Sequence, residues 1–414
     1  MTKDNAMHPI SETGLIRFSN AGHAFTHLFL MLYPTVVLAL EHAWQRPYGE
    51  LLSLSVVGYV LFGAGALPAG WLADRWSATG MILVFFFGLG MASIFTGLAE
   101  TPLQMAVGLS MIGLFASIYH PVGVALIVRN PARRGRTLGI NGMFGGVGTA
   151  SAALIAGVLI DLYSWRAAFF VPGALSLLAG VGFWLMVRGR ELHDFSATDR
   201  GHEGHGSARV LRTVGLLFAI TLCTGIIYQA LSVSLPKVLV LRTQVFGETS
   251  MTDVGGKVTL IFLAAGAMQI AGGYMADRFP QKLLLLLGYV VMVPAMLAAA
   301  SLFGLPLLLA MVVIVSINVG MLPVTDSILT SVTPPAWRAT IFGAKFVLAL
   351  GVAASGVPLV AYVYDTTGDF NLLFMLMAGF AALVLAVGIA LPGRPRAVVV
   401  PLAEAAAESG AGAS

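Results

Sequence analysis

The sequence predicts an all-α membrane protein in which twelve transmembrane helices form two pseudo-symmetric six-helix halves. Composition predicts the membrane, because 58% of the 414 residues are hydrophobic and only 10% are charged, whereas about 25% are charged in a soluble domain. Length predicts the number of helices, since about 20 apolar residues cross a bilayer and twelve such helices leave room for loops. An internal repeat predicts the two halves.

Composition also excludes several classes of protein. The single cysteine, Cys223, cannot form an intramolecular disulfide, and no Cys and His spacing resembles a structural zinc site. A net charge of +4 fits basic loops beside a membrane better than nucleic-acid binding. No Gly-x-x-x-x-Gly-Lys-Ser/Thr loop is present, which argues against a self-contained ATP-driven pump. We expect no cofactor, no metal ion and no nucleic-acid partner.

Apolar runs between charged or turn-forming clusters define twelve predicted spans, numbered in chain order. One long internal loop separates the first six from the last six, which predicts an N-terminal half over 1–187, a central loop over 188–210, a C-terminal half over 211–391 and a tail over 392–414. The predicted spans cover residues 18–40, 49–72, 80–99, 103–128, 138–160, 166–187, 211–236, 255–275, 283–303, 305–330, 339–363 and 370–391.

Lys and Arg residues are distributed unequally between alternate loops. Seventeen lie on one side and five on the other, with Lys345 inside a span. Because basic residues favour cytoplasmic loops, we expect both termini and the central loop to be cytoplasmic, and the number of spans to be even. We also expect the chain to be a monomer in lipid, in the inner or plasma membrane.

Two sequence matches reveal the repeat. Gly-Trp-Leu-Ala-Asp-Arg at 70–75 recurs as Gly-Tyr-Met-Ala-Asp-Arg at 273–278, an offset of 203 residues. Six spans in each copy give both copies the same orientation, which predicts a substrate site near the midplane between the halves. At an offset of 202, His120-Pro121-Val122 and Arg136 match Leu322-Pro323-Val324 and Arg338.

With these features the chain resembles the major facilitator superfamily of transporters over nearly its whole length. The repeated Gly-x-x-x-Asp-Arg loop is similar to that superfamily's signature, and His120-Pro121 with the His-rich span 1 resembles its fosmidomycin-resistance-like branch. In the family such loops latch one side of the two halves; a carboxylate there can accept hydrogen bonds from a helix N-terminus. A capped, solvated turn is the alternative. The resemblance implies gating roles for Asp74, Arg75, Asp277, Arg278, Arg136 and Arg338.

Histidines stand out within the spans. His23 and His27 share one face of span 1 near the middle of the bilayer, and His120 lies on span 4. Ionisable groups at this depth usually face a cavity or a partner, so we predict substrate binding or proton coupling, with hydrogen-bonded packing histidines as the alternative. No third or fourth metal ligand is evident beside His23 and His27, so we expect no metal site.

Asp326 and Lys345 are predicted ion-pair partners, because they lie at similar depth on spans 10 and 11. Pairing lowers the cost of holding either charge away from water. Two roles are open. The pair is either purely structural, or a switch in which a substrate carboxylate or phosphate displaces Asp326 from Lys345.

The resemblance places spans 1, 4, 7 and 10 around a central cavity. A polar, mostly uncharged lining points to a small amphipathic solute, and Lys345 with the histidines favours an organic anion. The candidates are His23, Thr26, His27, Tyr33, Tyr119, His120, Tyr228, Gln229, Ser232, Asn318, Thr325 and Asp326.

We therefore predict a proton-coupled secondary transporter of a small organic solute that works by alternating access. It is not expected to be an enzyme, because no convincing pair of nucleophile and base is present. A drug/proton efflux antiporter is one alternative, since the glycine-rich span 5 resembles the glycine-rich motif of drug antiporters in position. A non-transporting assembly factor or sensor with the same fold is an alternative of another class.

Overall fold

The structure, a computed structural model, describes residues 11–127, 134–188, 208–243, 250–334 and 337–392. These ranges are helical and contain no strand. Eleven helices in them are long and apolar enough to cross a membrane, and a bent pair of helices makes a twelfth if the pair is one span. The predicted all-α fold is therefore confirmed.

Most spans begin or end a few residues beyond the predicted apolar runs, and side chains cap the first turn of several of them. Span 1 begins at Glu12, where Ser11 Oγ accepts a hydrogen bond from the Gly14 amide. Span 2 bends by 43° at Gly65, as glycines often allow. The spans are Glu12–Trp44, the pair Tyr48–Ala64 and Ala66–Arg75, then Ala78–Gly97, Pro102–Ile127, Thr137–Leu162, Ala167–Val187, Val210–Arg242, Met251–Arg278, Gln281–Ala299, Gly304–Val332, Thr340–Thr367 and Asn371–Ala390.

The same helix pairings recur in both halves. In the N-terminal half, span 3 packs against span 6 and span 2 packs against span 4. In the C-terminal half, the equivalent spans 9 and 12 pack together, as do spans 8 and 10. Between the halves, span 5 packs against span 8 and span 11 against span 2. Exchanging the halves converts one of these contacts into the other, which agrees with a parallel repeat. The domain boundaries stay a prediction, since most of the central loop and nearly all of the tail lie outside the described residues.

Glycines allow the closest helix contacts. A Cβ at Gly113 of span 4 would clash with the Gly58 carbonyl of span 2, and one at Gly148 of span 5 would clash with span 1 at Ala24. Close approach of this kind holds helices together in lipid, where no hydrophobic effect acts between them. The glycines of span 5 are not all used in this way, because a Cβ at Gly139 or Gly142 would meet no described atom within 4 Å.

Candidate functional site

Three histidines from two spans meet within the N-terminal half. The His23 and His27 rings lie 5.0 Å apart, and the His120 ring of span 4 lies 5.3 Å from His23 and 5.6 Å from His27. One ring nitrogen from each lies within 4.8 Å of the others. We call these residues the histidine cluster. No third ligand was expected beside His23 and His27, and the structure corrects this, because folding brings the distant His120 to them.

A wide helical turn positions His120. Residues Tyr119–Gly123 form a π-helical turn inside span 4, and Pro121 within it has no amide hydrogen to donate. Turns of this kind are frequent at functional sites. The His120 ring stacks on Phe346 of span 11 at a centroid distance of 5.9 Å. The histidine cluster therefore reaches the boundary between the halves.

A buried polar network supports the histidine cluster from span 5. His23 Nδ1 lies 2.8 Å from the Asn141 carbonyl oxygen. The Asn141 side-chain Nδ2 donates to Asn20 Oδ1 at 3.0 Å and to the Tyr119 hydroxyl at 2.7 Å. Ser19 Oγ lies 3.0 Å from the same hydroxyl. Tyr119 is fully buried. The Tyr119 hydroxyl belongs to this supporting network, and its predicted role in binding substrate or protons stays a prediction.

The predicted pair of Asp326 and Lys345 is present in the C-terminal half. Lys345 Nζ donates to the Asp326 carboxylate. The Lys345 side chain is 9% exposed and the Asp326 side chain 40%. The buried partner is therefore the cation, while the carboxylate remains accessible. Phe346, which contacts His120, directly follows Lys345.

The other predicted lining residues have separate surroundings. The Tyr33 hydroxyl donates to the Leu51 carbonyl at 2.6 Å, and Asn318 Nδ2 donates to the Thr224 carbonyl at 3.3 Å, so each ties two spans together. Tyr228 packs edge-on against Phe262. Gln229 is buried, and its Nε2 has no hydrogen-bond partner within the described ranges.

The two Asp-Arg turns are exposed on one side of the molecule, which we call the Asp-Arg side. The Arg75 guanidinium lies 4.2 Å above the Trp71 ring, and Arg278 lies 3.5 Å above Tyr274. Neither the Asp74 nor the Asp277 carboxylate makes a hydrogen bond or ion pair with the residues that the structure describes. The hydrogen bonds predicted for these carboxylates are therefore not formed within the described ranges. The side chains of Arg136 and Arg338 lie outside the described residues.

On the opposite side, polar contacts join the halves. Lys237 of span 7 donates to both carboxylate oxygens of Glu41 of span 1, each at 2.8 Å. The Gly49 amide of span 2 donates to Asp365 of span 11 at 2.9 Å, and the Thr252 amide of span 8 donates to Asp161 of span 5 at 2.7 Å. These contacts hold the halves together opposite the Asp-Arg side. They were not predicted from the sequence, since no motif marks them.

Comparison with known proteins identifies relatives of the chain. The family model described as Major Facilitator Superfamily matches residues 21–255 and 239–411. The chain is 31% identical over 170 residues to the puromycin resistance protein pur8 of Streptomyces alboniger, covering 39% of this chain and 34% of that protein. It is 25% identical over 249 residues to the putative niacin/nicotinamide transporter NiaP of Bacillus subtilis, covering 56% and 60%. The matched region thus spans about a third to three fifths of these relatives.

Solved structures share the fold. A bacterial homologue of the human lysosomal transporter Spinster, in an inward-facing and occupied conformation, superposes with a TM-score of 0.73 at 15% identity, covering 92% of this chain and 94% of that one. A D-xylose-proton symporter gives 0.72 at 14% identity, covering 92% and 98%. The family match is to the superfamily as a whole, so the resemblance to the fosmidomycin-resistance-like branch stays a prediction.

Proposed function

Because this chain belongs to the Major Facilitator Superfamily, we propose that it is a secondary transporter of a small organic solute. The observation that carries the proposal is the family match, which extends through both six-helix halves. The family consists of transporters and not of enzymes. The halves make polar contacts on one side of the molecule, whereas the carboxylates of the Asp-Arg turns on the other side make none with the described residues. This arrangement fits transport by alternating access.

The pair of Asp326 and Lys345 is the proposed coupling element. Lys345 is buried, so losing its counter-charge would leave a costly unpaired cation. A proton on Asp326 would create that state, and an anionic substrate group beside Lys345 would relieve it. The partly exposed Asp326 carboxylate is open to both events. This exchange favours proton-coupled movement of an organic anion. Niacin, which appears in the name of the relative NiaP, is such an anion because it carries a carboxylate.

The remaining site residues take two proposed roles. The histidine cluster with Gln229 and Tyr228 faces the solute or the proton path, while Tyr33 and Asn318 hold the spans around it. On the Asp-Arg side, the gate is formed when the halves rock together. Its residues are Asp74, Arg75, Asp277, Arg278, Arg136 and Arg338. We place this side in the cytoplasm of a cell whose inner or plasma membrane holds the monomer.

Drug efflux is a second candidate function, because the alignment with the puromycin resistance protein has the higher identity of the two relatives described. Efflux and uptake differ in the direction of proton movement relative to the solute. An antiporter would accumulate drug in vesicles that are acidic inside. A symporter would accumulate the anion when the outside is acidic.

Flux measurements test both candidates. The purified chain is reconstituted into proteoliposomes, and uptake of niacin, of a panel of other monocarboxylates and of puromycin is measured with and without an imposed pH gradient. Protein-free liposomes give the leak. We expect saturable uptake of at least one solute that the gradient accelerates. If folded protein moves no solute under either gradient, the transporter proposal fails, and a sensor or assembly factor becomes the better description.

A further inference from the structure

We infer that the histidine cluster, His23, His27 and His120, is a binding site for a divalent transition-metal ion. The inference is independent of which solute the chain transports. It rests on the spacing of the three ring nitrogens, on the hydrogen bond that orients His23, and on the absence of other partners for His27 and His120 within the described chain.

The spacing suits a metal ion after a small closure. One nitrogen from each ring lies within 4.8 Å of the others. Zn²⁺ binds imidazole nitrogen at about 2.0–2.1 Å in tetrahedral geometry, which sets ligand nitrogens about 3.3 Å apart, so each ring has to move inward by only about 1 Å. His23 and His27 lie one helical turn apart, a spacing that lets two imidazoles bind the same ion.

The hydrogen bond of His23 decides which of its ring nitrogens can bind a metal, and that nitrogen, Nε2, packs beside Gly145 of span 5, where a Cβ would lie 2.6 Å from it. Its Nδ1 lies 2.8 Å from the Asn141 carbonyl oxygen, and a carbonyl oxygen only accepts hydrogen bonds. Nδ1 therefore carries the hydrogen, and Nε2 of the neutral ring carries the lone pair. Histidine ligands of metals usually donate their other nitrogen to a carbonyl or carboxylate in this way. Asn141 is itself fixed by Asn20 and Tyr119, so this arrangement is rigid.

His27 and His120 complete the site. Neither residue takes part in a side-chain hydrogen bond with the described parts of the chain, and both side chains are only partly buried. The rings are instead surrounded by aromatic groups, with Phe62 at 5.7 Å from the His120 ring and Phe346 at 5.9 Å. The ring nitrogens of His27 and His120 are therefore available to a ligand that the three rings share. A shared cation would satisfy all three.

The number and type of ligands define the ion. Imidazole suits Zn²⁺, Ni²⁺ and Cu²⁺, whereas Ca²⁺ and Mg²⁺ prefer oxygen ligands. Three protein ligands leave a fourth position open for water or a solute group, which distinguishes such a site from a closed structural one. At an offset of 202 residues the second half has Gly225, Gln229 and Leu322. The three histidines are therefore not repeated in the second half.

Metal titration of the full-length, untagged protein tests the inference. The chain is purified in detergent, stripped with EDTA and titrated with Co²⁺, whose visible absorption is intense in tetrahedral sites, and Zn²⁺ is then added as a competitor. All proteins carry His193→Asn, His202→Asn and His205→Asn, which removes the three histidines of the central loop. We expect one Co²⁺ bound per chain, displaced by Zn²⁺, and at least about tenfold weaker binding in His27→Asn and in His120→Asn.

The matched control is His42→Asn, because His42 lies on the same span but is exposed and away from the histidine cluster. It should bind Co²⁺ like the parent protein. A monodisperse elution profile and an unchanged melting midpoint show that each variant folds. If His120→Asn does not fold, His120→Gln takes its place. Equal Co²⁺ affinity in folded His27 and His120 variants, or no saturable binding by the folded parent, overturns the inference. Neither result would affect the proposed transport function, which the flux measurements test separately.

Discussion

Lys237 and Glu41 form a bidentate ion pair that joins span 7 of the C-terminal half to span 1 of the N-terminal half, with both Nζ–Oε distances at 2.8 Å. The pair is largely buried, with 12% of the Lys237 side chain and 20% of the Glu41 side chain exposed. The ammonium also lies 5.3 Å from the Tyr48 ring and 5.2 Å from the Tyr364 ring. A cation held by one carboxylate and two aromatic faces from both halves stabilises the closed side.

Replacing Glu41 should weaken this closure. In Glu41→Gln, Lys237 loses its counter-charge while still shielded from water, which raises the free energy of the closed arrangement. We expect a cysteine at Ser232, in a Cys223→Ser background, to react about tenfold faster with an impermeant maleimide added on the Lys237 side, since about 1.4 kcal/mol changes a conformational ratio tenfold.

The neighbouring pair of Arg46 and Glu50 gives the control. It lies on the same side but within one half, and both side chains are nearly half exposed, so Glu50→Gln should leave the labelling rate unchanged. An equal increase in both variants would show that the maleimide reports general loosening and not separation of the halves.

Sequence reasoning predicted the spans well but could not find this contact. A span is marked by its own apolar residues and by the charged residues at its ends, so local hydropathy locates it within a few residues. Span 12, for example, is predicted at 370–391 and observed at Asn371–Ala390. Lys237 and Glu41 are 196 residues apart. Their pairing depends on how the two halves meet, and no local pattern encodes that. The pairing of Asp326 with Lys345 was predictable because two consecutive spans fix its depth.

Breaking the pair of Asp326 and Lys345 should separate coupling from structure. Asp326→Asn and Lys345→Met should each reduce gradient-driven uptake at least about tenfold, because the first leaves a buried ammonium unpaired and the second removes the anion-binding charge. The double variant should regain thermal stability without regaining uptake. Recovery of uptake in the double variant would assign the pair a structural role, and full activity in either single variant would remove both residues from the mechanism.

A surface pair provides the comparison. Lys257 and Asp253 are four residues apart on span 8, and the Asp253 side chain is 49% exposed. Such pairs contribute about 0–1 kcal/mol, so Asp253→Asn should transport at the parental rate.

A methyl group at the contact of spans 2 and 4 should destabilise the fold. In Gly113→Ala the new Cβ would meet the Gly58 carbonyl, and backbone cannot move aside as a flexible side chain can. Overpacking costs about 1–3 kcal/mol, which for a chain of 414 residues lowers a melting midpoint by roughly 1–4 °C. Gly142→Ala is the matched control, because its Cβ would meet no described atom within 4 Å. Its midpoint should stay or rise, since Ala favours helix over Gly by up to about 1 kcal/mol; equal losses in both variants would contradict the packing argument.

The repeat also hides a difference that the sequence alone could not reveal. Arg166 of the N-terminal half donates to the carbonyls of Gly97 and Ala99, both at 2.8 Å, and so caps the end of span 3. At an offset of 203 residues the second half has Asp369, which has the opposite charge. Arg242 from span 7 supplies the guanidinium instead and donates to the Ala299 carbonyl at 3.0 Å. The cap is repeated in structure while its residues are exchanged, so alignment of the halves does not predict it.

Asp369 should therefore make stability depend on pH in the acidic range. Burial raises the pKa of Asp369, but hydrogen bonds from Arg242 and from the Phe370 amide outweigh it and hold the pKa below the ordinary value. A carboxyl group whose folded pKa is lowered stabilises the fold above its unfolded pKa, and this contribution is lost as the pH falls through the folded pKa. Asp369→Asn should thus lower the melting midpoint at pH 7, and the gap from the parent should narrow as the pH falls below about 4.

The detergent-solubilised protein allows this measurement from pH 7 to pH 3. Asp253→Asn, which removes an exposed carboxylate from a pair within one helix, should show only a small gap from the parent throughout. We expect the two variants to differ because Asp369 pairs with a buried guanidinium, that of Arg242. Arg242 is 2% exposed at its side chain and holds two carbonyls of span 9 as well as Asp369, so losing the carboxylate charge leaves a buried guanidinium with neutral acceptors alone. A gap for Asp369→Asn that stays constant across the pH range would mean that the side chain acts through its shape and not through its charge.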